Sequence, residues 1–192
     1  MSVVSWYTNC LLKKPYSTKM ITSFFTFGLG DIVSQMIENS ARNKHGEKSI
    51  CNFSRFLKQA TYGIIFTPYL HLHFAKIVPF IVPESTNPNI KIRVIKRLLY
   101  DQTFHACMCT IAYFMYLNLV NHTGFNKAVQ NTKEVFVPTM IANWKLWPAA
   151  MLINYSIMPQ HYSVFYVNIL SIFWNAYISY VFNRKKDSSK ML

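Results

Sequence analysis

Apolar runs alternate with polar breaks along this chain, and the runs have the length of a membrane crossing. Residues 20–37, MITSFFTFGLGDIVSQMI, form 18 nearly uninterrupted apolar or small positions. As a helix they extend about 27 Å at roughly 1.5 Å per residue, close to the ~30 Å hydrocarbon core of a bilayer. The same pattern predicts spanning helices over 16–38, 56–82, 98–120 and 160–182, separated by polar stretches at 39–52, 84–97 and 121–133. Residues 134–158 are apolar but contain Asn143, Lys145, Asn154, Pro138 and Pro148, and they read as an additional membrane-associated segment, a helix or broken helix packed against the others or partly interfacial. Ahead of the first span, 5–14 reads as a short amphipathic helix with Trp6, Tyr7, Cys10 and Leu11 on one stripe, lying in the membrane interface and broken by Pro15. Pro68 is expected to kink the second span. The predicted fold class is an all-α membrane protein. It is a single membrane-embedded domain over 1–192, a bundle of about four transmembrane helices with an N-terminal interfacial helix and kinked or broken segments.

Composition supports this pattern. Hydrophobic residues make up 52% of the chain and charged ones 14%, against about 25% charged in soluble proteins. A soluble helical domain would need more Lys and Glu to clothe its surface, and only seven acids exist. The net charge of +13 would ordinarily suggest nucleic acid. Here the cations flank the apolar segments, so anionic lipid headgroups are the expected partner and nucleic acid is not. Under a four-span reading the two sides carry nearly equal numbers of Lys and Arg, and orientation stays undecided. The chain start lacks a basic n-region and a small-residue cleavage site; Lys13, Lys14 and Lys19 without an acid fit an uncleaved mitochondrial-type N-terminus.

Cys10, Cys51, Cys107 and Cys109 fit no zinc spacing and read as buried or lipid-facing thiols. Asn52-Phe-Ser54, Asn121-His-Thr123 and Asn154-Tyr-Ser156 match the glycosylation sequon, a pattern common by chance. His71 and His73 are two apart and point to different faces of a helix, so they do not form a metalloprotease pair. No paired carboxylates, phosphate loop or G-x-S-x-G motif is present. The chain therefore reads as a non-enzyme without cofactor or metal. At an offset of 91, Phe53, Phe56, Gly63, Pro68 and Phe74 fall opposite Trp144, Trp147, Asn154, Pro159 and Phe165, a faint repeat of the kind seen in membrane carriers.

The chemistry lies in polar residues placed in apolar context. Asp31 carries a charge into the first span, where insertion costs roughly 2.5–3.5 kcal/mol. Gln35 is i+4 from it and shares its face. Asp101-Gln102 opens the third span, and Asn143, Lys145 and Asn154 lie in the Trp-rich segment. Together with His71 these residues either line a polar lumen for small solutes or hold the bundle together by interhelical hydrogen bonds. A pairing of Asp31 with Lys145 or Arg55 would neutralise it and would be structural. Gly28, Gly30 and Gly63, with Pro68, are assigned to helix packing, and Trp6, Tyr7, Trp144, Trp147 and Trp174 to interfacial anchoring.

An ordered set of residues resembles the Mpv-seventeen / 22-kilodalton peroxisomal membrane protein family. It comprises Trp6-Tyr7, Pro15, Gly28-Leu29-Gly30-Asp31 with Gln35, and Arg55 with Gly63, Pro68 and His71. It continues through Asp101-Gln102, Asn143-Trp144, Trp147-Pro148, Asn154, Pro159 with Tyr162, and Trp174-Asn175-x-Tyr177-x-Ser179. The resemblance implies a small helical protein of the mitochondrial inner membrane or, alternatively, the peroxisomal membrane, usually drawn with four spans. Members are described as pores for small hydrophilic solutes, and one branch supports mitochondrial DNA maintenance. Thr67, Met151 and Ser163 depart from the family pattern, where Gly, Gln and Arg are common; the last two remove polar groups from the supposed lumen or its mouth. Two roles follow. The leading one is a channel lined by Asp31, Gln35, Asp101 and Asn143. The other is a non-conducting accessory subunit of a respiratory complex, with a homo-oligomer or a larger mitochondrial membrane complex as the partner.

Overall fold

The computed structural model describes residues 3–44, 48–86, 88–156 and 160–188, with the side chains at 154–156, 160–165 and 185–188 outside the description. Among the described residues all regular structure is helical. Helix α1 (Val3–Lys13) meets α2 (Pro15–Lys44) at Lys14, and Pro15 occupies the first helical position, where its missing N–H is no loss. Helix α3 (Phe53–Leu72) is capped by Asn52, whose side chain accepts from the Arg55 N–H, and runs without a break through a π-helical turn (His73–Ile77) into α4 (Val78–Ile81). Helix α5 (Ile90–Tyr100), capped by Asn89, likewise passes through a second π turn (Asp101–His105) into α6 (Ala106–Val120). Helices α7 (Phe125–Ser156) and α8 (Gln160–Ser188) complete the chain. The α6–α7 turn contains Gly124 at φ +83°, a conformation that side-chain-bearing residues rarely adopt.

Among the described residues, three helical rods are long and apolar enough to cross a membrane: Pro15–Lys44, Phe53–Ile81 and Ile90–Val120. Their outer surfaces are apolar: Ile21, Phe25, Ile65, Phe74 and Leu99 are each more than half exposed. The third rod starts earlier than the hydropathy suggested. Lys91, Arg93, Lys96 and Arg97 lie on α5, a basic helical turn-in to the third span rather than a loop. Residues 125–156 form one continuous helix despite Pro138 and Pro148, the unbroken of the two forms expected. Pro68 lies inside α3 one turn before the first π turn, and its ring faces outward.

Pairwise contacts fix the helix directions. Lys19 meets His71 and Asp31 meets Arg55, so α2 and α3 are antiparallel. Tyr113 meets Gln59 and His105 meets Tyr69, so α6 is antiparallel to α3. Asn131 meets Asn118 and Asn143 meets Gln102, so α7 is antiparallel to α6. Gly30 packs on Asn175 while Asp31 meets Ser179, so α8 runs parallel to α2. The core is a buried aromatic and aliphatic cluster of Tyr62, Tyr113, Phe114, Leu117, Val135, Ile178 and Phe182, with Tyr62 edge-on to Tyr113 at 5.2 Å.

Three glycines set the close approaches of α2. A Cβ on Gly28 would run into the Phe56 ring, one on Gly30 would stand 2.5 Å from Asn175 Cβ, and one on Gly63 would stand 2.5 Å from the Ser23 carbonyl oxygen. Helix α1 lies against α2 and α8 through Tyr7, whose hydroxyl is 3.0 Å from Thr22 Oγ1 and accepts from Asn168 Nδ2 at 3.2 Å, while Trp6 faces outward.

Candidate functional site

Positions 31, 34, 35 and 38 recur at helical spacing, so one face of α2 presents Asp31, Ser34, Gln35 and Glu38 side by side. Arg55, in the first turn of α3, reaches across to that face. Its Nε donates to Asp31 Oδ1 at 2.6 Å, Nη1 to Glu38 Oε2 at 2.6 Å, and Nη2 to Ser34 Oγ at 2.7 Å and Glu38 Oε1 at 2.9 Å. Asp31 is wholly buried and also accepts from Gln35 Nε2 at 2.7 Å and from Ser179 Oγ of α8 at 2.6 Å. Gln35 turns its oxygen to the Asn52 N–H at 2.8 Å, which ties the network to the cap of α3. Gln59 donates to Ser179 and accepts from Tyr113, so the network continues into the core.

One guanidinium thus serves two carboxylates, and every atom of the Asp31 carboxylate has a donor. Asp31 pairs with Arg55 and not with Lys145, which is exposed on α7. A cavity of about 100 Å³ opens beside this network, lined by Asn52, Arg55, Lys58, Asn121 and Asn183 among others. That is room for a few waters, below the roughly 300–1,000 Å³ of small-molecule pockets.

The expected lumen residues fall into separate groups. Asp31 and Gln35 sit near the α2–α3 loop. Gln102 and Asn143 lie toward the opposite end of the bundle and satisfy each other: Asn143 Nδ2 donates to Gln102 Oε1 at 3.0 Å, and Gln102 Nε2 to Asp101 Oδ2 at 3.0 Å. His71 is half-buried, 3.0 Å from Lys19 Nζ and against the Tyr16 ring. The side chain of Asn154, with the Pro159 and Phe165 half of the proposed repeat, lies outside the described residues. Trp144 makes a specific interhelical bond. Its indole N–H donates to the Gln102 carbonyl at 2.8 Å, a backbone acceptor in the second π turn. Trp147 and Trp174 meet edge to face at 6.3 Å, and Trp174 packs against the core.

A second cluster lies where the two π turns face each other. The ring of His73 stacks on that of His105 at 3.6 Å. Asp101 Oδ1 is 4.0 Å from His105 Nε2, and ligand atoms of His73, Asp101 and His105 all lie within 4.8 Å of one another. Both ring nitrogens of His73 and Asp101 Oδ1 are buried without a hydrogen-bond partner. A buried polar group left so costs about 1–3 kcal/mol.

Sequence reasoning missed Ser34 and Glu38, although their spacing from Asp31 was a usable signal. It also missed His73 with His105, which come from different helices and carry no local signal.

Comparison with known proteins agrees with the ordered residues. Residues 118–179 match the model of the Mpv17 / PMP22 family. The Dictyostelium discoideum protein called PXMP2/4 family protein 2 is 30% identical, over 91% of this chain and 88% of its own length. Protein SYM1 of Saccharomyces cerevisiae is 25% identical over 100% of this chain and 95% of its own. Peroxisomal membrane protein 2 of Bos taurus is 27% identical over 92% and 87%. No solved structure matches.

Proposed function

Because the chain belongs to the Mpv17 / PMP22 family of membrane proteins, we propose that it acts in an organellar membrane as a non-conducting structural or accessory subunit of a larger complex. The observation that carries this reading is Asp31. It is wholly buried, paired with Arg55 and saturated by Gln35 and Ser179, which is the state of a structural charge rather than of one lining water. The mitochondrial inner membrane is the proposed site, on the basic N-terminal segment, with the peroxisomal membrane as the alternative raised by the bovine relative's name. The helix directions favour five passes, with α7 as the fourth and α8 as the fifth.

The second reading is a gated pore for small hydrophilic solutes. The cavity of about 100 Å³ beside Arg55 supports it, since the Asp31–Arg55–Glu38 network would then be the closed gate. Planar-bilayer recording of the purified chain, together with native electrophoresis in mild detergent, separates the two. The structural reading requires silence from wild type and from Asp31→Asn, and co-migration with a large complex. Conductance that Asp31→Asn increases establishes the pore instead, and a solitary small band removes the accessory role.

A further inference from the structure

We propose that His73, Asp101 and His105 form a site for a Zn²⁺-type divalent ion, held between the two π turns of the second and third spans. The donors come from separate helices, and their ligand atoms already lie within 4.8 Å of one another. Each π turn carries a five-residue backbone bond, Val78 N–H to His73 O and Ala106 N–H to Asp101 O. Such turns reset helical register and recur at functional sites. Here both sit where a ligand projects inward.

The polar accounting points to a cation. His73 is 1% exposed and neither ring nitrogen has a partner, while Asp101 Oδ1, also buried, has none either. One ion between them satisfies the Asp101 oxygen and one ring nitrogen of His73, with His105 Nε2 as the third donor. Outer partners already orient the ligands. Gln102 Nε2 holds Asp101 Oδ2 at 3.0 Å, which leaves Oδ1 for the ion. The Tyr69 hydroxyl lies 3.4 Å from His105 Nδ1, which leaves Nε2 for the ion. Cys109 Sγ, 3.3 Å from His105 Nε2, is a candidate fourth ligand. Two imidazoles and a carboxylate suit Zn²⁺ or its neighbours rather than Mg²⁺ or Ca²⁺, which take oxygen sets. Ligand bonds of about 2.0–2.2 Å bring tetrahedral donors to about 3.3–3.6 Å apart. The rings therefore leave their stack by rotating about the Cβ–Cγ bonds. The Asp101 side chain, 27% exposed, gives the entry path.

The test uses the full chain in nanodiscs, stripped by chelator and titrated with Co²⁺, read by tetrahedral Co²⁺ absorption and by bound metal after desalting. One Co²⁺ per chain, displaced by Zn²⁺, is expected. His105→Phe and the near-isosteric Asp101→Asn should each weaken binding at least tenfold with far-UV circular dichroism unchanged, and His71→Phe should bind as wild type does. The proposal is overturned if wild type takes up no metal, if binding persists unchanged in both His105→Phe and Asp101→Asn, or if His71→Phe removes it.

Discussion

Arg55→Leu isolates the buried charge network. In wild type the guanidinium contacts Asp31 and Glu38 at 2.6 Å each and bonds Ser34 and Ser179 as well. In the variant Asp31 keeps Gln35 and Ser179 but has no cation, and at 0% exposure it cannot reach water; Glu38, with 18% of its side chain exposed, can. Removing one partner of a buried pair costs about 3–5 kcal/mol. At about 2–4 °C per kcal/mol for a chain of this size, Tm should fall by roughly 6–20 °C. Asp31→Leu/Arg55→Leu removes both buried charges and leaves the accessible Glu38. It should be more stable than Arg55→Leu alone, because apolar pairs replace buried ion pairs at little loss. Asp31→Asn should cost less than Arg55→Leu, since Arg55 keeps Glu38. The assay is thermal unfolding in one non-ionic detergent at a fixed scan rate, followed by far-UV circular dichroism. The reasoning fails if the double variant is the less stable, or if Arg55→Leu loses under about 1 kcal/mol.

Other expectations follow from single contacts. Gly30→Leu and Gly63→Leu should each destabilise by about 1–3 kcal/mol or more in the same assay, because the new side chains meet Asn175 and the Ser23 carbonyl. Trp144→Phe should lose about 0.5–1.5 kcal/mol with the bond to the Gln102 carbonyl, and a loss near zero would return Trp144 to a purely interfacial role. Cysteines introduced at Lys13 and Arg184 should label from opposite faces of sealed vesicles, because α8 runs parallel to α2; labelling from one face would restore an even number of passes.

The helical class and the three apolar rods were legible because a bilayer imposes length and hydropathy directly on the sequence. The face of Asp31 and Gln35 was legible because helical spacing is local. Its cation was narrowed to Arg55 or Lys145 and no further, since pairing depends on which helices touch. Lys145 looked buried because its neighbours are apolar, yet it projects outward from α7. The basic 90–97 stretch looked like a loop because charge masks helix formation, and α5 is helical through its Asn89 cap and its continuity with the third rod. The His73–His105 stack was illegible. His71 and His73 do lie on different faces, but the partner of His73 is more than thirty residues on, and π turns shift the register that periodicity assumes.

The Asp31–Arg55 pair also constrains how the chain is made. Both members lie in the first half of the sequence, on adjacent antiparallel helices joined by a short loop, whereas Ser179 emerges near the end of synthesis. The α2–α3 hairpin can therefore enter the bilayer as one unit, its carboxylate already matched by its guanidinium. The last helix then docks onto a preformed polar seam. An import intermediate truncated after α3 should be membrane-stable, while one truncated between α2 and Arg55 should slip back out.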